Sequence, residues 1–275
     1  MDTGLRGKVV VVTGASGGIG ASVARRLAAC GARLVLHYRS GLARARALAR
    51  ELRGVETLLV RADLAREGDA RRLFARSVAR FGRVDTLVAN AGWWEARDVP
   101  LQRMSLSQWR RTQDAVLTSA FLSLREFLRL VARQRRGNAV LVASTAALFG
   151  EAGHADYAAA KAGLAYGLTL SLKNEIARLA PLTARYGGGR INCVAPGWTI
   201  VPRTTKKFLD GAAVRRVAAT RALPKIARPD DVAAAVAFLA SDALAGQVTG
   251  QILTLAGGME GRLLWRPQEI DPRLA

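Results

Sequence analysis

The chain has 275 residues, of which 50% are hydrophobic, so it can bury one substantial core or at most two. We find no apolar run of about 18 residues and no apolar leader, so we expect a cytoplasmic protein without a membrane span. The 42 basic residues outnumber the 21 acidic ones, giving a net charge of +21. Such a surface attracts anions, but its arginines are spread over many helical segments, so nucleic-acid binding is not expected.

Strand-like and helical patterns alternate along the whole chain. Short β-branched runs predict strands, and apolar residues that recur every three to four positions predict helices between them. This alternation predicts an α/β fold of the Rossmann type, in which a doubly wound parallel seven-stranded sheet carries helices on both faces of one domain, residues 1–275. The predicted strands are 8–13, 33–37, 57–61, 84–89, 138–144, 191–195 and 251–255, and the predicted helices are 18–30, 42–53, 67–81, 107–133, 156–180 and 230–239.

A glycine-rich turn follows the first predicted strand. Gly14, Gly18 and Gly20 stand between a valine run and an amphipathic segment, in the spacing Gly-x-x-x-Gly-x-Gly. Strand, glycine turn and helix form the first half of a dinucleotide-binding unit. We expect Gly14 to form the tight turn, Gly18 to admit a pyrophosphate and Gly20 to let the helix pack closely. The N–H groups at the helix N-terminus would bind the phosphates.

Tyr157 and Lys161 stand four positions apart in a segment with a helical pattern. Side chains at i and i+4 lie one turn apart on the same face of a helix, so an ammonium group is expected beside a phenol. A neighbouring positive charge lowers the pKa of a phenol from its ordinary value of about 10. The pair therefore predicts a proton donor and acceptor that works near neutral pH.

These features together resemble the short-chain dehydrogenase/reductase family. The resemblance covers roughly residues 6–260 and is strongest for the 3-oxoacyl-carrier-protein reductase type. It implies reversible hydride transfer between a nicotinamide coenzyme and a ketone or secondary alcohol, with a 3-oxoacyl thioester leading and a sugar or polyol next. The motifs that carry it are Thr13-Gly14-x-x-x-Gly18-x-Gly20, Asn90-Ala91-Gly92, Ser144, Tyr157-x-x-x-Lys161 and Pro196-Gly197.

The resemblance also implies roles for three side chains. Ser144 would hydrogen-bond the substrate carbonyl, Tyr157 would exchange a proton with its oxygen, and Lys161 would tune the phenol and bind the nicotinamide ribose. One departure stands out, because Val116 occupies the position of an asparagine that usually helps to hold a water beside the lysine. A valine side chain forms no hydrogen bond, so a dinucleotide-binding sensor or scaffold with little turnover remains an alternative.

The residues that follow the second predicted strand indicate which coenzyme the protein prefers. No acidic residue stands at Tyr38 to hold a ribose 2′-hydroxyl, whereas Arg39 and Ser40 are suited to a 2′-phosphate. The sequence therefore predicts NADP(H) over NAD(H). The further coenzyme contacts that the resemblance implies are Ser16, Ile19, Asp63, Leu64, Asn90, Ala91, Gly92, Pro196, Gly197 and Thr199.

Trp93 and Trp94 follow the Asn-Ala-Gly motif and are expected to line the substrate mouth together with Ser144. The resemblance implies that residues 198–224 form a lid over the substrate. The C-terminal tail, 262–275, is expected to cover a neighbouring surface or another subunit. His37 and His154 lack companions at metal-ligand spacing, so no metal site is predicted. The resemblance implies a homo-oligomer, a tetramer or dimer, and the basic surface would suit a substrate carried on an acidic acyl carrier or on coenzyme A.

Overall fold

The computed structural model describes residues 2–183, 187–202, 204, 210–259 and 265–274. Its seven strands form one sheet in the order β3-β2-β1-β4-β5-β6-β7, and every neighbouring pair is parallel. The predicted fold class is confirmed. The strands are β1 Val9–Val12, β2 Arg33–Tyr38, β3 Thr57–Arg61, β4 Thr86–Ala89, β5 Asn138–Val142, β6 Arg190–Pro196 and β7 Ile252–Leu255.

The first strand shows why its sequence is an unbroken valine run. Successive side chains point to opposite faces of a strand, and both faces of this sheet are covered by helices. Val9 and Val11 therefore enter one hydrophobic core, which also holds Phe127, while Val10 and Val12 enter the core on the other face. Each valine is fully buried.

Helices connect the strands and pack on the two faces of the sheet. Two long helical stretches each contain a π-helical turn, at Asp114–Thr118 and Gly163–Leu168, where the sequence predicted uninterrupted helices. Three short helices were not predicted: α6 and α11 have four residues each, too few to show a period, and α9 lies in a stretch of sequence without a clear core pattern. The helices are α1 Gly18–Ala29, α2 Leu42–Glu51, α3 Glu67–Phe81, α4 Leu106–Gln113, α5 Ser119–Gln134, α6 Ala146–Phe149, α7 Ala155–Ala162, α8 Thr169–Leu179, α9 Gly211–Ala218, α10 Pro229–Ala240 and α11 Asp242–Ala245.

The strand order reverses beside β1, and this switch point places a crevice at the carboxyl ends of β1 and β4. The residues singled out from the sequence follow the carboxyl ends of six of the seven strands or lie on α1 and α7. In the described part of the chain, none of the helices combines the length and the apolar character needed to cross a membrane.

The described part of the C-terminal tail packs on residues 218–221 of its own chain. Trp265 donates its backbone N–H to the Ala219 carbonyl at 3.2 Å and its indole Nε1–H to the Arg221 carbonyl at 2.6 Å. Ile270 is 4% exposed and packs with Ala218 and Ala219 at the end of α9. The described tail residues therefore contact residues 218–221, which belong to the segment predicted as a lid. Residues 262–264 and 275 of the predicted tail, and 203 and 205–209 of the predicted lid, lie outside the described residues.

Candidate active site

The glycine turn after β1 depends on two glycines for its shape. Gly14 has φ +68, a left-handed conformation that favours glycine, and a β-carbon there would lie 3.0 Å from the Ala91 Cα. A β-carbon on Gly20 would overlap the carbonyl oxygen of Gly14 and approach the Asn90 side chain at 2.8 Å. Both glycines therefore allow α1 to pack closely against the turn, as the sequence predicted for Gly20.

Asn90 ties this turn to the end of β4. Its side-chain amide donates to the Thr13 carbonyl at 2.9 Å, and its backbone N–H donates to the Thr13 hydroxyl at 2.9 Å. The backbone N–H of Ala91 donates to the same hydroxyl at 2.9 Å. Asn90 and Ala91 therefore fix the floor of the crevice at the switch point.

His37, on β2, supports the turn from the other side and was not predicted to do so. Its Nδ1 accepts the Gly14 N–H at 3.0 Å, and its Nε2 lies 3.0 Å from the Ala62 carbonyl. Burial lowers the pKa of His37 to about 4, so the ring is neutral near pH 7. A neutral ring can accept at Nδ1 while it donates from Nε2, which matches both contacts.

The residues at the start of α1 fit a dinucleotide. Among the described residues, no side chain caps this N-terminus, and its first turn holds no acidic residue. Backbone N–H groups at the positive end of the helix dipole bind phosphate. Ser16 and Ile19 belong to this turn. A β-carbon on Gly18 would lie 2.7 Å from Val201 and 3.1 Å from Pro202, so the segment after β6 closes over the turn.

A cavity of about 600 Å³ lies at the ends of β2 and β3, with Arg39 and Asp63 on its wall. Its opposite wall is α4, including Arg110 and Arg111. Asp63 also caps its own loop, because its carboxylate accepts the Ala65 N–H at 3.3 Å. Leu64 is buried beside it, and Ser40 is exposed next to Arg39.

Arg44, on α2, is a basic residue that the sequence analysis missed. Its Nε donates to the Ser16 carbonyl at 3.1 Å, so the guanidinium reaches across from α2 to the glycine turn. A β-carbon on Gly41, the residue that precedes α2, would lie 2.7 Å from the Ser16 hydroxyl and 2.9 Å from the Arg44 guanidinium. Arg44 therefore adds positive charge where the glycine turn meets the end of β2.

Tyr157 and Lys161 lie together on α7. The Lys161 Nζ is 5.6 Å from the centroid of the Tyr157 ring and donates to the Val142 carbonyl at 2.6 Å. The lysine is 4% exposed, and its burial lowers its pKa to about 8. The ammonium is therefore mostly protonated at pH 7, and it loses its proton as the pH rises through about 8.

Val116 lies beside this lysine, inside the π-helical turn between α4 and α5. The point where a Gly92 β-carbon would sit is 3.6 Å from the Lys161 Nζ and 3.8 Å from the Val116 Cγ2. Val116 is fully buried. A methyl group therefore occupies the place where the resemblance led us to expect an asparagine. Val116 also lies in a π-helical turn, a feature that often marks functional sites.

Ser144 follows β5 and meets the end of β6. Its hydroxyl accepts the Ala146 N–H at 3.2 Å, and the next residue, Thr145, donates its N–H to the Pro196 carbonyl at 2.9 Å. Thr199 is buried and donates its hydroxyl hydrogen to the Gly197 carbonyl at 2.9 Å. The structure therefore places Ser144 next to the Pro196-Gly197 segment.

Asp156 joins the start of α7 to α4 and was not singled out from the sequence. It is 1% exposed, and its carboxylate accepts the Thr112 hydroxyl at 2.6 Å and the Tyr157 N–H at 2.8 Å. Gln113 donates its side-chain amide to the Asp156 carbonyl at 3.0 Å. These contacts fix the turn that carries Tyr157 against the helix that leads to Val116.

Aromatic side chains lie between the start of α7 and Trp198, the first residue of the segment predicted as a lid. Trp94 stacks on the His154 ring with centroids 4.8 Å apart and meets Trp198 edge-on at 5.8 Å. The His154 Nε2 lies 2.9 Å from the Glu95 carbonyl, so this histidine anchors the loop that carries both tryptophans. The Arg111 guanidinium lies 4.7 Å from the centroid of the Trp93 ring.

The two histidines both contact the backbone. His37 and His154 both bind backbone carbonyls. Within the described ranges, no group of three or more His, Cys, Asp or Glu side chains is arranged to hold a metal ion.

A family model described as enoyl-(acyl carrier protein) reductase matches residues 14–260. The chain is 34% identical over 259 residues to a 3-oxoacyl-[acyl-carrier-protein] reductase of Synechocystis sp., covering 94% of this chain and 98% of that protein. It is 39% identical over 254 residues to cis-4-hydroxycyclohexanecarboxylate dehydrogenase of Sinomonas cyclohexanicum, covering 91% of this chain and 96% of that protein.

One solved structure is also similar to this chain over nearly its whole length. The crystal structure of levodione reductase superposes on this chain with a TM-score of 0.82 at 30% identity, covering 92% of this chain and 97% of that one. The matches span nearly the whole chain, and the named relatives are reductases and dehydrogenases that act on carbonyl or CH–OH groups. The chain therefore belongs to the short-chain dehydrogenase/reductase family and is an oxidoreductase.

Proposed function

We propose that this protein is an NADP(H)-dependent oxidoreductase that interconverts a ketone and a secondary alcohol with Ser144, Tyr157 and Lys161. The observation that carries the proposal is the buried Lys161 ammonium, which lies 5.6 Å from the Tyr157 ring beside the end of β5. Members of the family use NAD(P)(H), which supplies or accepts the hydride when bound.

The protein's own residues would handle the proton and the developing charge. The Ser144 hydroxyl would donate to the substrate carbonyl and polarise it. The Tyr157 hydroxyl would give its proton to the oxygen as negative charge develops there, and would take it back in the reverse direction. The Lys161 ammonium would favour the phenolate and bind a ribose hydroxyl of the coenzyme.

The coenzyme would lie across the switch point. Its phosphates would meet the N–H groups of the glycine turn, and Asn90-Ala91-Gly92 would form the floor below it. The segment that follows β6, including Pro196, Gly197 and Thr199, would face the nicotinamide. We expect binding to displace Val201 from Gly18, because that side chain occupies the face from which a pyrophosphate would approach.

We propose a preference for NADP(H) because the ribose end of the crevice is basic. Arg39 and Ser40 lie at the end of β2, and Arg39 and Asp63 both line the cavity. Leu64 is buried beside Asp63, and Arg44 reaches the glycine turn from α2. A guanidinium can bind a 2′-phosphate with two hydrogen bonds. Arg39→Asp should reverse the preference, measured as the ratio of kcat/KM for NADPH and NADH. A variant that prefers NADPH as strongly as the wild type would contradict the assignment.

The substrate mouth favours an apolar or ring-containing carbonyl compound. The Trp94 ring lies between His154, at the start of α7, and Trp198, and Trp93 next to it contacts Arg111 on α4. Aromatic walls favour flat or cyclic apolar groups. A 3-oxoacyl thioester is the second candidate, favoured by the net charge of +21, which would attract an acidic carrier protein or coenzyme A.

A ketone panel assayed by NADPH oxidation tests the activity. The wild type should oxidise NADPH in the presence of cyclic ketones or a 3-oxoacyl thioester, and Tyr157→Phe should lose this activity because it cannot give up a proton. Val116 is the observation that favours the alternative, a coenzyme-binding sensor with little turnover. Wild-type rates no higher than those of Tyr157→Phe, with NADPH binding intact, would support that alternative.

We also propose a cytoplasmic homo-oligomer, a dimer or tetramer. Phe121, Tyr166 and Leu170 are 45%, 49% and 36% exposed along the two long helical stretches, which leaves apolar surface for a second copy. Light scattering after size-exclusion chromatography would report the mass. A monomer at micromolar concentration would contradict this assembly.

A further inference from the structure

The cavity at the ends of β2 and β3 carries an excess of positive charge. Four arginines and two aspartates line its volume of about 600 Å³, which gives it a net charge of +2. Arg39 follows β2 and Arg66 lies after β3, whereas Arg110 and Arg111 lie on α4. Like charges around one cavity repel each other, and an anion between them removes that repulsion. The cavity is therefore suited to an anion with about two negative charges.

Two of the four guanidinium groups already have partners. The Arg66 Nε lies 3.8 Å from the Asp63 Oδ2. The Arg111 Nη2 lies 3.4 Å from the Glu95 Oε2, and the same guanidinium lies 4.7 Å from the centroid of the Trp93 ring. These two arginines are therefore engaged by the protein itself.

The other two arginines are available to a ligand. Among the residues that the structure describes, neither Arg39 nor Arg110 has a carboxylate as an ion-pair partner. Both residues are exposed, so their guanidinium groups can turn into the cavity. The second aspartate of the wall, Asp114, accepts a hydrogen bond from the Thr118 hydroxyl at 3.3 Å. Arg39 and Arg110 therefore supply the uncompensated charge of the cavity, one from the sheet and one from α4.

The cavity has the size of one phosphate group held between these two arginines. A sphere of 600 Å³ is about 10 Å across. A phosphate bound from opposite sides through N–H···O contacts of about 2.8 Å separates the two nitrogens by roughly 8 Å. A phosphate monoester carries a charge of about −1.5 to −2 at pH 7, which two guanidinium groups neutralise.

The position of the cavity indicates which phosphate it would take. In dinucleotide-binding folds the 2′ position of the adenosine ribose lies near the end of β2. Strand β2 is the neighbour of β1, which the glycine turn follows. Three apolar residues line the same cavity and offer a surface for the attached adenosine, namely Ala65, Leu106 and Ala115. A nucleotide phosphate therefore fits this cavity better than a free anion.

We infer that Arg110, on α4, is a second specificity-determining residue, which holds the 2′-phosphate of the coenzyme from the side opposite Arg39. This inference rests on the proposed preference for NADP(H), and it adds a residue that the sequence analysis did not single out. The phosphorylated ribose would then join the end of β2 to α4 across the crevice.

Calorimetric titration with two nucleotide fragments tests the role of Arg110 without turnover. Adenosine 2′,5′-bisphosphate and 5′-AMP differ only in the 2′-phosphate, and the wild type should bind the bisphosphate about 100-fold more tightly. Arg110→Met should lower this ratio about tenfold and leave the affinity for 5′-AMP unchanged. The matched control is Arg103→Met, which removes an exposed arginine that does not line the cavity and should keep the ratio of the wild type.

Three results of this titration would overturn the inference. The first is a ratio in Arg110→Met equal to that of the wild type. The second is an equal loss in Arg103→Met, because the effect would then come from the net charge alone. The third is adenosine 3′,5′-bisphosphate, the phosphorylated end of coenzyme A, binding as tightly as the 2′,5′ isomer, because the cavity would then not select the coenzyme's 2′-phosphate.

Kinetics separate this inference from the proposed function. With a ketone that the wild type reduces, Arg110→Met should raise the KM for NADPH about tenfold and leave kcat and the KM for NADH unchanged. An unchanged KM for NADPH, in an enzyme that prefers NADPH, would refute the role of Arg110 and leave that of Arg39 intact. A wild type that does not distinguish the bisphosphate from 5′-AMP would refute the proposed coenzyme preference and Arg110 with it. No turnover of any ketone would refute the proposed activity, and the titrations would still decide on Arg110.

Discussion

Acid should destabilise this protein through His37. Its folded-state pKa of about 4 lies below the ordinary value of 6.5, because burial disfavours the charged ring. The unfolded chain therefore binds a proton that the folded chain excludes, and folding stability falls as the pH drops from about 6.5 to about 4. Over the whole window the loss approaches about 3 kcal/mol, and between pH 7.5 and pH 5 it is about 2 kcal/mol.

Urea unfolding at pH 7.5 and pH 5 measures this loss. The matched control is His37→Asn, which keeps an acceptor for the Gly14 N–H but does not titrate. The variant should be less stable at pH 7.5, because it loses the contact with Ala62, yet its stability should fall by about 2 kcal/mol less than that of the wild type on acidification. An equal fall in both proteins would refute the assignment of the buried neutral ring.

The other predictions concern the turn and the catalytic helix. Gly20→Ala should lower the free energy of unfolding by about 1–3 kcal/mol, because its β-carbon overlaps a backbone carbonyl, whereas Gly18→Ala should weaken coenzyme binding with a smaller loss of stability. Urea unfolding and NADPH titration separate the two effects, and equal stability losses would contradict the geometry. Asp156→Asn keeps the size of the side chain but removes a buried negative charge next to Tyr157. It should shift the pH profile of kcat/KM to lower pH, since that charge opposes formation of the phenolate; an unchanged profile would show that Asp156 acts through structure alone.

The fold was predictable because its signals are local. A valine run, a glycine turn and an amphipathic helix follow one another within the first 30 residues, and the same alternation continues to β7. The π-helical turns at Asp114–Thr118 and Gly163–Leu168 carry no such signal, since each changes the hydrogen bonding of only one turn within a long helical stretch.

The parts of the site that sequence reasoning missed depend on contacts between distant residues. His37 accepts a hydrogen bond from Gly14, which is 23 residues away in the chain, and the Thr112–Asp156 hydrogen bond spans 44 residues. Single polar residues without a motif give no sequence signal for such partnerships.

The central claim is that the buried ammonium of Lys161 tunes the Tyr157 hydroxyl, and the pH dependence of ketone-dependent NADPH oxidation tests it most directly. With Lys161→Met we expect a much lower rate and an alkaline limb moved to higher pH, because the phenol returns toward its ordinary pKa of about 10, while Lys161→Arg retains the charge and part of the activity. A Lys161→Met enzyme with the rate and pH profile of the wild type would contradict the account.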